Sequence, residues 1–250
     1  MKVYLTHLYP KQMSIYGDYG NILAMQFFLK GLGVEFEYQT VDINQDLPQN
    51  TDFYFLGGGQ DKEQSIIFQD LLAKKANLGQ NLENNVPMLA ICGGYQLLGQ
   101  EFLTGTGDLI PGLEILPVIT KAPNSSVKSR CVGNLIVNCQ IPELLGTKLV
   151  GFENHSGQTY FTDQSKAKPL GSVLVGYGNN TFEKIEGCVY KNVIGTYLHG
   201  SCLPKNPELT AWFIKKIFQN KKLDVDIDQI DNLDTKIAAL AKENILGRFQ

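Results

Sequence analysis

The residue group best suited to covalent chemistry is Val86-Pro87-Met88-Leu89-Ala90-Ile91-Cys92-Gly93-Gly94-Tyr95-Gln96. An apolar run stops at Cys92, two glycines follow, and Tyr95-Gln96-Leu97-Leu98 reads as a helix start. A cysteine between a buried strand and a helix sits on a sharp turn with its sulfur pushed outward. Gly93 and Gly94 let the chain turn and leave backbone N–H groups free to meet a substrate oxygen. A free thiol, with a pKa of about 8.5, is a poor nucleophile at neutral pH, and a helix N-terminus or a nearby histidine favours the thiolate. A buried structural cysteine would not account for the paired glycines. His199 closes the apolar run Ile194-Gly195-Thr196-Tyr197-Leu198 and is followed by Gly200. A Cys–His pair at strand ends suits acyl transfer, with the imidazole moving the proton. His155, in the polar stretch Gly151-Phe152-Glu153-Asn154-His155-Ser156-Gly157, is the rival base, and His7 ends the first strand.

Elements that could hold such a pair follow from the pattern. Val3–Leu8 reads as a first strand, Ile22, Met25 and Leu29 as a helix stripe ended by Gly31-Leu32-Gly33, and Val34–Tyr38 as a second strand. This β-α-β opening predicts an α/β, flavodoxin-like fold with a mostly parallel central sheet flanked by helices. Asp52–Leu56 is a third strand that runs into Gly57-Gly58-Gly59. Three glycines at the carboxyl end of a buried strand allow close backbone approach to a ligand. No Gly-x-Gly-x-x-Gly or Gly-Lys-Ser/Thr spacing supports phosphate binding, so an oxyanion donor is the better reading, beside the alternative of a plain tight turn. One long helix is predicted over Glu63–Asn84, and a helix over Gln96–Phe102 after Cys92. The strands predicted in the second half are Leu113–Thr120, Arg130–Cys139, Lys148–Glu153, Thr159–Phe161, Ser172–Tyr177 and Gly187–Leu198, with a polar loop over Lys121–Ser129. Asn206-Pro207 reads as a capped helix start carrying Leu209, Trp212, Phe213 and Ile217. Ile230, Leu233, Ile237 and Leu240 form a last amphipathic segment, either packed on its own domain or held for a partner. The expected division is a domain over 1–220 and a helical extension over 221–250.

The chain has 250 residues, 43% hydrophobic, and a formal charge of −3, which leaves ample core and argues against bulk nucleic-acid binding. No apolar run is long enough to span a membrane, and Met1-Lys2-Val3 leads directly into a strand instead of a signal-peptide layout. Five scattered cysteines with no Cys-x-x-Cys read as reduced thiols, so a cytoplasmic protein without a disulfide or metal framework is expected. The Asn124-Ser125-Ser126 and Asn179-Asn180-Thr181 glycosylation patterns carry no meaning in that setting.

Five segments carry a resemblance to a known family. They are Tyr16-Gly17-Asp18-Tyr19-Gly20-Asn21-Ile22, Phe55-Leu56-Gly57-Gly58-Gly59-Gln60-Asp61, Ala90-Ile91-Cys92-Gly93-Gly94-Tyr95-Gln96, Gly151-Phe152-Glu153-Asn154-His155 and Gly195-Thr196-Tyr197-Leu198-His199-Gly200. In that order the chain resembles class I (triad-type) glutamine amidotransferases. More narrowly it is similar to the branch related to cobyric acid synthase, and within it to the amidotransferase subunits of lipid II isoglutaminyl synthase. The resemblance implies that Cys92 attacks the glutamine side-chain amide and that His199 is the base. It implies oxyanion donors at Gly93 and in the glycine turn, at Gly58, and a glutamine site that includes Arg130 and Gln96. It further implies a Mur-ligase-like partner subunit, forming a heterodimer, which handles ATP and Mg2+ and amidates the D-glutamate of the lipid II stem peptide. No cofactor is expected in this chain.

One departure stands out. Many members carry an acid two residues after the histidine, and here Ser201 stands there. The resemblance then implies that an aspartate of the partner completes the triad and that the isolated chain is a weak glutaminase. Alternatives are an amidotransferase feeding corrinoid amidation, another cysteine enzyme or chaperone-like protein on the same scaffold, and a regulatory or scaffold subunit in which Cys92 is vestigial.

Overall fold

The computed structural model describes residues 2–123, 130–223 and 228–249. Most of the polar loop predicted over Lys121–Ser129, including the Asn124-Ser125-Ser126 pattern, lies outside them.

The chain begins with β1 (Lys2–Leu8), α1 (Tyr19–Gly31), β2 (Glu35–Val41) and β3 (Phe53–Leu56). Strand β1 pairs in parallel with both β2 and β3. Every residue of β3 (Phe-Tyr-Phe-Leu) is buried, as is every residue of β4 (Met88–Ile91). Continuous apolar strands covered on both faces are the signature of central parallel strands. Between them lie α2 (Asp61–Ala73) and α3 (Lys75–Glu83), where one long helix was predicted. The break falls at Lys74, whose N–H bonds to the Leu71 carbonyl at 3.1 Å in a tightened turn. The Lys74 ammonium pairs with Asp70, which also accepts the Tyr9 hydroxyl at 2.7 Å.

Helix α4 (Gly93–Leu98) follows Cys92 and stops four residues earlier than predicted. The N–H groups of Leu113, Glu114, Ile115 and Leu116 bond to the carbonyls of Leu97, Leu98 and Gly99 and so satisfy the helix end. That use of the backbone also explains why the predicted strand Leu113–Thr120 shrinks. The elements there are β5 (Glu101–Leu103), β6 (Leu109–Pro111) and β7 (Val118–Lys121). After them come β8 (Cys131–Cys139), β9 (Lys148–His155), β10 (Gln158–Phe161), β11 (Gly171–Val175) and β12 (Ile185–Glu186). The predicted strand Gly187–Leu198 is a hairpin, β13 (Cys188–Tyr190) and β14 (Val193–Thr196), turning at Lys191 with φ +51°. The central sheet has the order β13-β14-β4-β3-β1-β2 and is parallel except for the edge strand β13. Two four-stranded sheets, β10-β7-β5-β6 and β12-β11-β8-β9, stand beside it.

The chain ends in α5 (Cys202–Lys205), α6 (Pro207–Lys221), α7 (Asp228–Asp231) and α8 (Lys236–Leu246). Asn206 does not cap α6 with its side chain. Instead its amide brackets Val150 in β9, accepting the N–H and donating to the carbonyl at 2.8 Å each, which fixes β9 against the helices. The last amphipathic stripe is divided. Ile230 is buried and Leu233 packs close to Gly31, whereas Ile237 and Leu240 face outward. Lys242 pairs with Glu208 and ties α8 to α6. None of the five cysteines is paired, and no helix among the described residues is long and apolar enough to cross a membrane.

Candidate active site

Cys92 follows β4 with φ +48° and ψ −104°, a conformation that L side chains rarely adopt and that clusters at functional sites. Its N–H bonds to the Thr196 carbonyl at 2.9 Å, locking the turn to β14. The glycines that follow are forced by space. A Cβ on Gly93 would stand 2.6 Å from the Gly59 carbonyl oxygen, and one on Gly94 2.6 Å from that of Leu56. The turn after β3 therefore presses directly on the start of α4.

His199 lies beyond β14. Its backbone exchanges hydrogen bonds with Phe152 of β9, at 2.9 and 3.2 Å, so the imidazole is held between the central sheet and the β8–β9 hairpin. The ring is fully buried, with Nδ1 3.5 Å from Asp18 Oδ1, and Asp18 is equally buried. Burial alone would depress the imidazole pKa. The Cys92 sulfur and the Asp18 carboxylate overcome this and hold it well above the ordinary value. Neither ring nitrogen closes a hydrogen bond of good geometry here, and such contacts often tighten only around substrate. The arrangement is that of a cysteine–imidazole pair with a carboxylate behind it.

Asp18 is the residue that sequence reasoning missed. It lies far upstream of the histidine, whereas an acid was sought two residues after it. Asp18 occupies the N-cap position of α1 yet makes no capping bond. Its Oδ2 accepts the Gly58 N–H at 2.7 Å and its Oδ1 faces His199. The available signal was its place in the Tyr16–Ile22 motif. Ser201, where an acid was sought, has φ +56° and donates its hydroxyl to the Gly17 carbonyl. The serine thus fastens the loop after His199 to the turn that carries Asp18.

The remaining predicted residues fall around one cleft of about 380 Å³, lined among others by Tyr16, Gly59, Cys92, Gln96, Arg130, Asn154 and His155. Gly58 does not fit the expectation of an oxyanion donor, because its N–H is committed to Asp18. Its neighbour Gly59 lines the cleft instead, opposite the N-terminus of α4 at Gly93. Arg130 sits just before β8, exposed, with Nε donating to Asn154 Oδ1 at 2.6 Å. Gln96 is built into the wall. Its Oε1 accepts from Gln64 at 2.9 Å and its Nε2 donates to the Tyr197 hydroxyl at 3.2 Å. His155 also belongs to the wall. It stacks on Tyr197 with ring centroids 3.6 Å apart, and its Nδ1 lies 2.8 Å from the Gly157 carbonyl. The imidazole that meets Cys92 is that of His199.

Residues 4–207 match the CobB/CobQ-like glutamine amidotransferase domain family. The glutamine-hydrolysing subunit GatD of lipid II isoglutaminyl synthase from Staphylococcus aureus is 36% identical over 227 residues, covering 90% of this chain and 88% of the relative. The same subunit from Streptococcus pneumoniae is 38% identical over 218 residues, covering 87% and 81%. A probable cobyric acid synthase from Methanopyrus kandleri is 32% identical, but the match covers 64% of this chain and only 33% of that protein. Among solved structures, the glutaminase domain of a Trypanosoma brucei CTPS with bound acivicin superposes with a TM-score of 0.55 at 14% identity, covering 89% of this chain and 95% of that one. A glutamine amidotransferase from Thermotoga maritima gives 0.53 at 14% identity, covering 98% and 94%. These two likenesses establish the fold.

Proposed function

The chain belongs to the CobB/CobQ-like glutamine amidotransferase family, and on that premise we propose that it is the glutamine-hydrolysing subunit of a lipid II isoglutaminyl synthase. The observation that carries the reading is Cys92 on its left-handed turn, with buried His199 beside it and Arg130 on the same cleft. The Cys92 sulfur attacks the side-chain carbonyl carbon of glutamine. The displaced electron pair gathers on oxygen, met by the N–H of Gly93 and by the turn at Gly59. Removing one such donor costs about 3–4 kcal/mol of barrier in comparable sites. The C–N bond then breaks, and the His199 imidazolium gives its proton to the departing ammonia. A water next loses a proton to His199 and attacks the thioester. The C–S bond breaks, glutamate leaves and the thiolate–imidazolium pair is restored. Arg130 receives the α-carboxylate, and Gln96 and His155 shape the wall. Asp18 orients His199 and stabilises its charge, a role that Ser201 cannot fill. Ammonia passes to a cytoplasmic Mur-ligase-like partner in a heterodimer, where ATP and Mg2+ serve activation of the D-glutamate α-carboxyl.

The test is reconstitution. The chain, a Mur-ligase-like subunit, ATP, Mg2+, glutamine and lipid II together should give amidated lipid II, and Cys92→Ser should abolish it unless free ammonia is added. Amidation of a corrinoid acceptor and not of lipid II would overturn the choice of acceptor.

A further inference from the structure

Tyr16 stands on the rim of the cleft and touches both halves of the site. Its ring meets the His199 imidazole edge-on, with centroids 5.1 Å apart and planes at 75°. Its hydroxyl accepts a hydrogen bond from Asn154 Nδ2 at 2.8 Å, and Asn154 Oδ1 accepts from Arg130 Nε at 2.6 Å. The chain Arg130–Asn154–Tyr16–His199 thus crosses the cleft mouth from the β8–β9 hairpin to the end of the central sheet. The register supports it. Asn154 faces Val132 across the hairpin, two residues from Arg130, while the alternate residues Glu153 and His155 behave differently and are buried. Tyr16 has φ +54°, an outlier for so bulky a residue, and Gly17 follows at +78°, immediately before Asp18. Almost half of Tyr16 is exposed, at 46%, so burial of its own surface does not explain that conformation.

We propose that Tyr16 is a positioning residue that couples substrate recognition to the catalytic histidine: its ring fixes and covers His199, and its hydroxyl, through Asn154, aims Arg130. Asn154 occupies Nε of Arg130, so only the two terminal nitrogens of the guanidinium are left for an incoming carboxylate. The substrate α-carboxylate therefore docks end-on, at a place set by the Tyr16–Asn154 pair. The inference rests on the glutaminase reading above.

The test uses the full chain with its synthetase partner, glutamate release, and two alkylating probes of Cys92. Diazo-oxo-norleucine is glutamine-shaped and needs Arg130, whereas iodoacetamide needs only the thiolate. In Tyr16→Phe the ring stays and the acceptor goes, so KM for glutamine should rise about fivefold, the size of one neutral hydrogen bond, with kcat within about twofold. Alkylation by diazo-oxo-norleucine should slow in step while iodoacetamide is unaffected. Asn154→Leu should show the same split. Tyr16→Leu removes the ring over His199, and kcat should fall about tenfold or more, with iodoacetamide slowed as well. If Tyr16→Leu fails to fold, the Phe and Asn154 variants still decide. Wild-type KM in Tyr16→Phe and Asn154→Leu, or equal losses of kcat and KM in all variants, overturns the coupling. A wild type that releases no glutamate overturns the glutaminase reading itself, and the inference with it.

Discussion

Replacing Asp18 by Asn isolates the charge behind the histidine. The amide is isosteric and its oxygen can still accept the Gly58 N–H, now held at 2.7 Å, so the turn after β3 should persist. What disappears is a negative charge 3.5 Å from His199 Nδ1, with both groups fully buried. At an effective dielectric near 20, that separation corresponds to about 5 kcal/mol between full charges, which is a ceiling. Reorganisation and the retained hydrogen bond reduce it, and a loss of about 10²–10³ in kcat is the expected outcome. The carboxylate raises the imidazole pKa, so its removal must lower it. The pH profile of kcat/KM should accordingly shift its histidine limb to lower pH. Glutamate release by the reconstituted complex across pH, with thermal melting as a check on folding, reads both. A folded Asp18→Asn protein with activity within about threefold of wild type and an unmoved profile would refute the reasoning. The orienting carboxylate would then have to come from another chain.

Other perturbations test other parts. His199→Ala should leave a folded protein without measurable glutaminase turnover, read by glutamate release. Arg130→Ala should raise KM for glutamine by about 10–100-fold, the range of a charge-assisted hydrogen bond, with a smaller effect on kcat. Gly94→Ala places a Cβ 2.6 Å from the Leu56 carbonyl oxygen, in backbone that cannot step aside, and should lower the melting temperature and abolish activity together. Glu186 is fully buried beneath Thr196 and Tyr197, and burial, partly offset by their hydrogen bonds, pushes its carboxyl up to about 7. Its folded pKa lies above its unfolded one, so stability is lost as pH rises from about 4.5 to about 7. Glu186→Gln should therefore stabilise the fold at pH 8, by up to about 3 kcal/mol, and lose that advantage near pH 4, as denaturant melts at the two pH values will show.

The parts of the fold legible in the sequence were those governed by local pattern. The apolar runs Phe53–Leu56 and Met88–Ile91 announced buried parallel strands, and the Cys92-Gly93-Gly94 step announced the turn from the second of them into a helix. What was not legible depends on contacts between distant segments. The stretch after Pro111 has strand-like composition, but its N–H groups are used by the end of α4. The run Gly187–Leu198 folds back at Lys191, where no glycine or proline marks the turn. In the site, Cys92 and His199 could be paired because each ends an apolar run of the same sheet. Asp18 could not, since a capping-type residue at a helix start gives no sign that its carboxylate is turned away from the helix. Gly58 was misassigned for the same reason, as its N–H is spoken for by that carboxylate.

The central claim is that glutamine is opened by Cys92 through a thioester. The most direct measurement is an acid-quenched reaction of the complex with glutamine, followed by mass analysis of the peptide that contains Cys92. The account predicts one γ-glutamyl group on Cys92 during turnover, discharged by hydroxylamine and absent in Cys92→Ser. Continued release of glutamate by Cys92→Ser, or by a wild type whose Cys92 never carries the adduct, would contradict it.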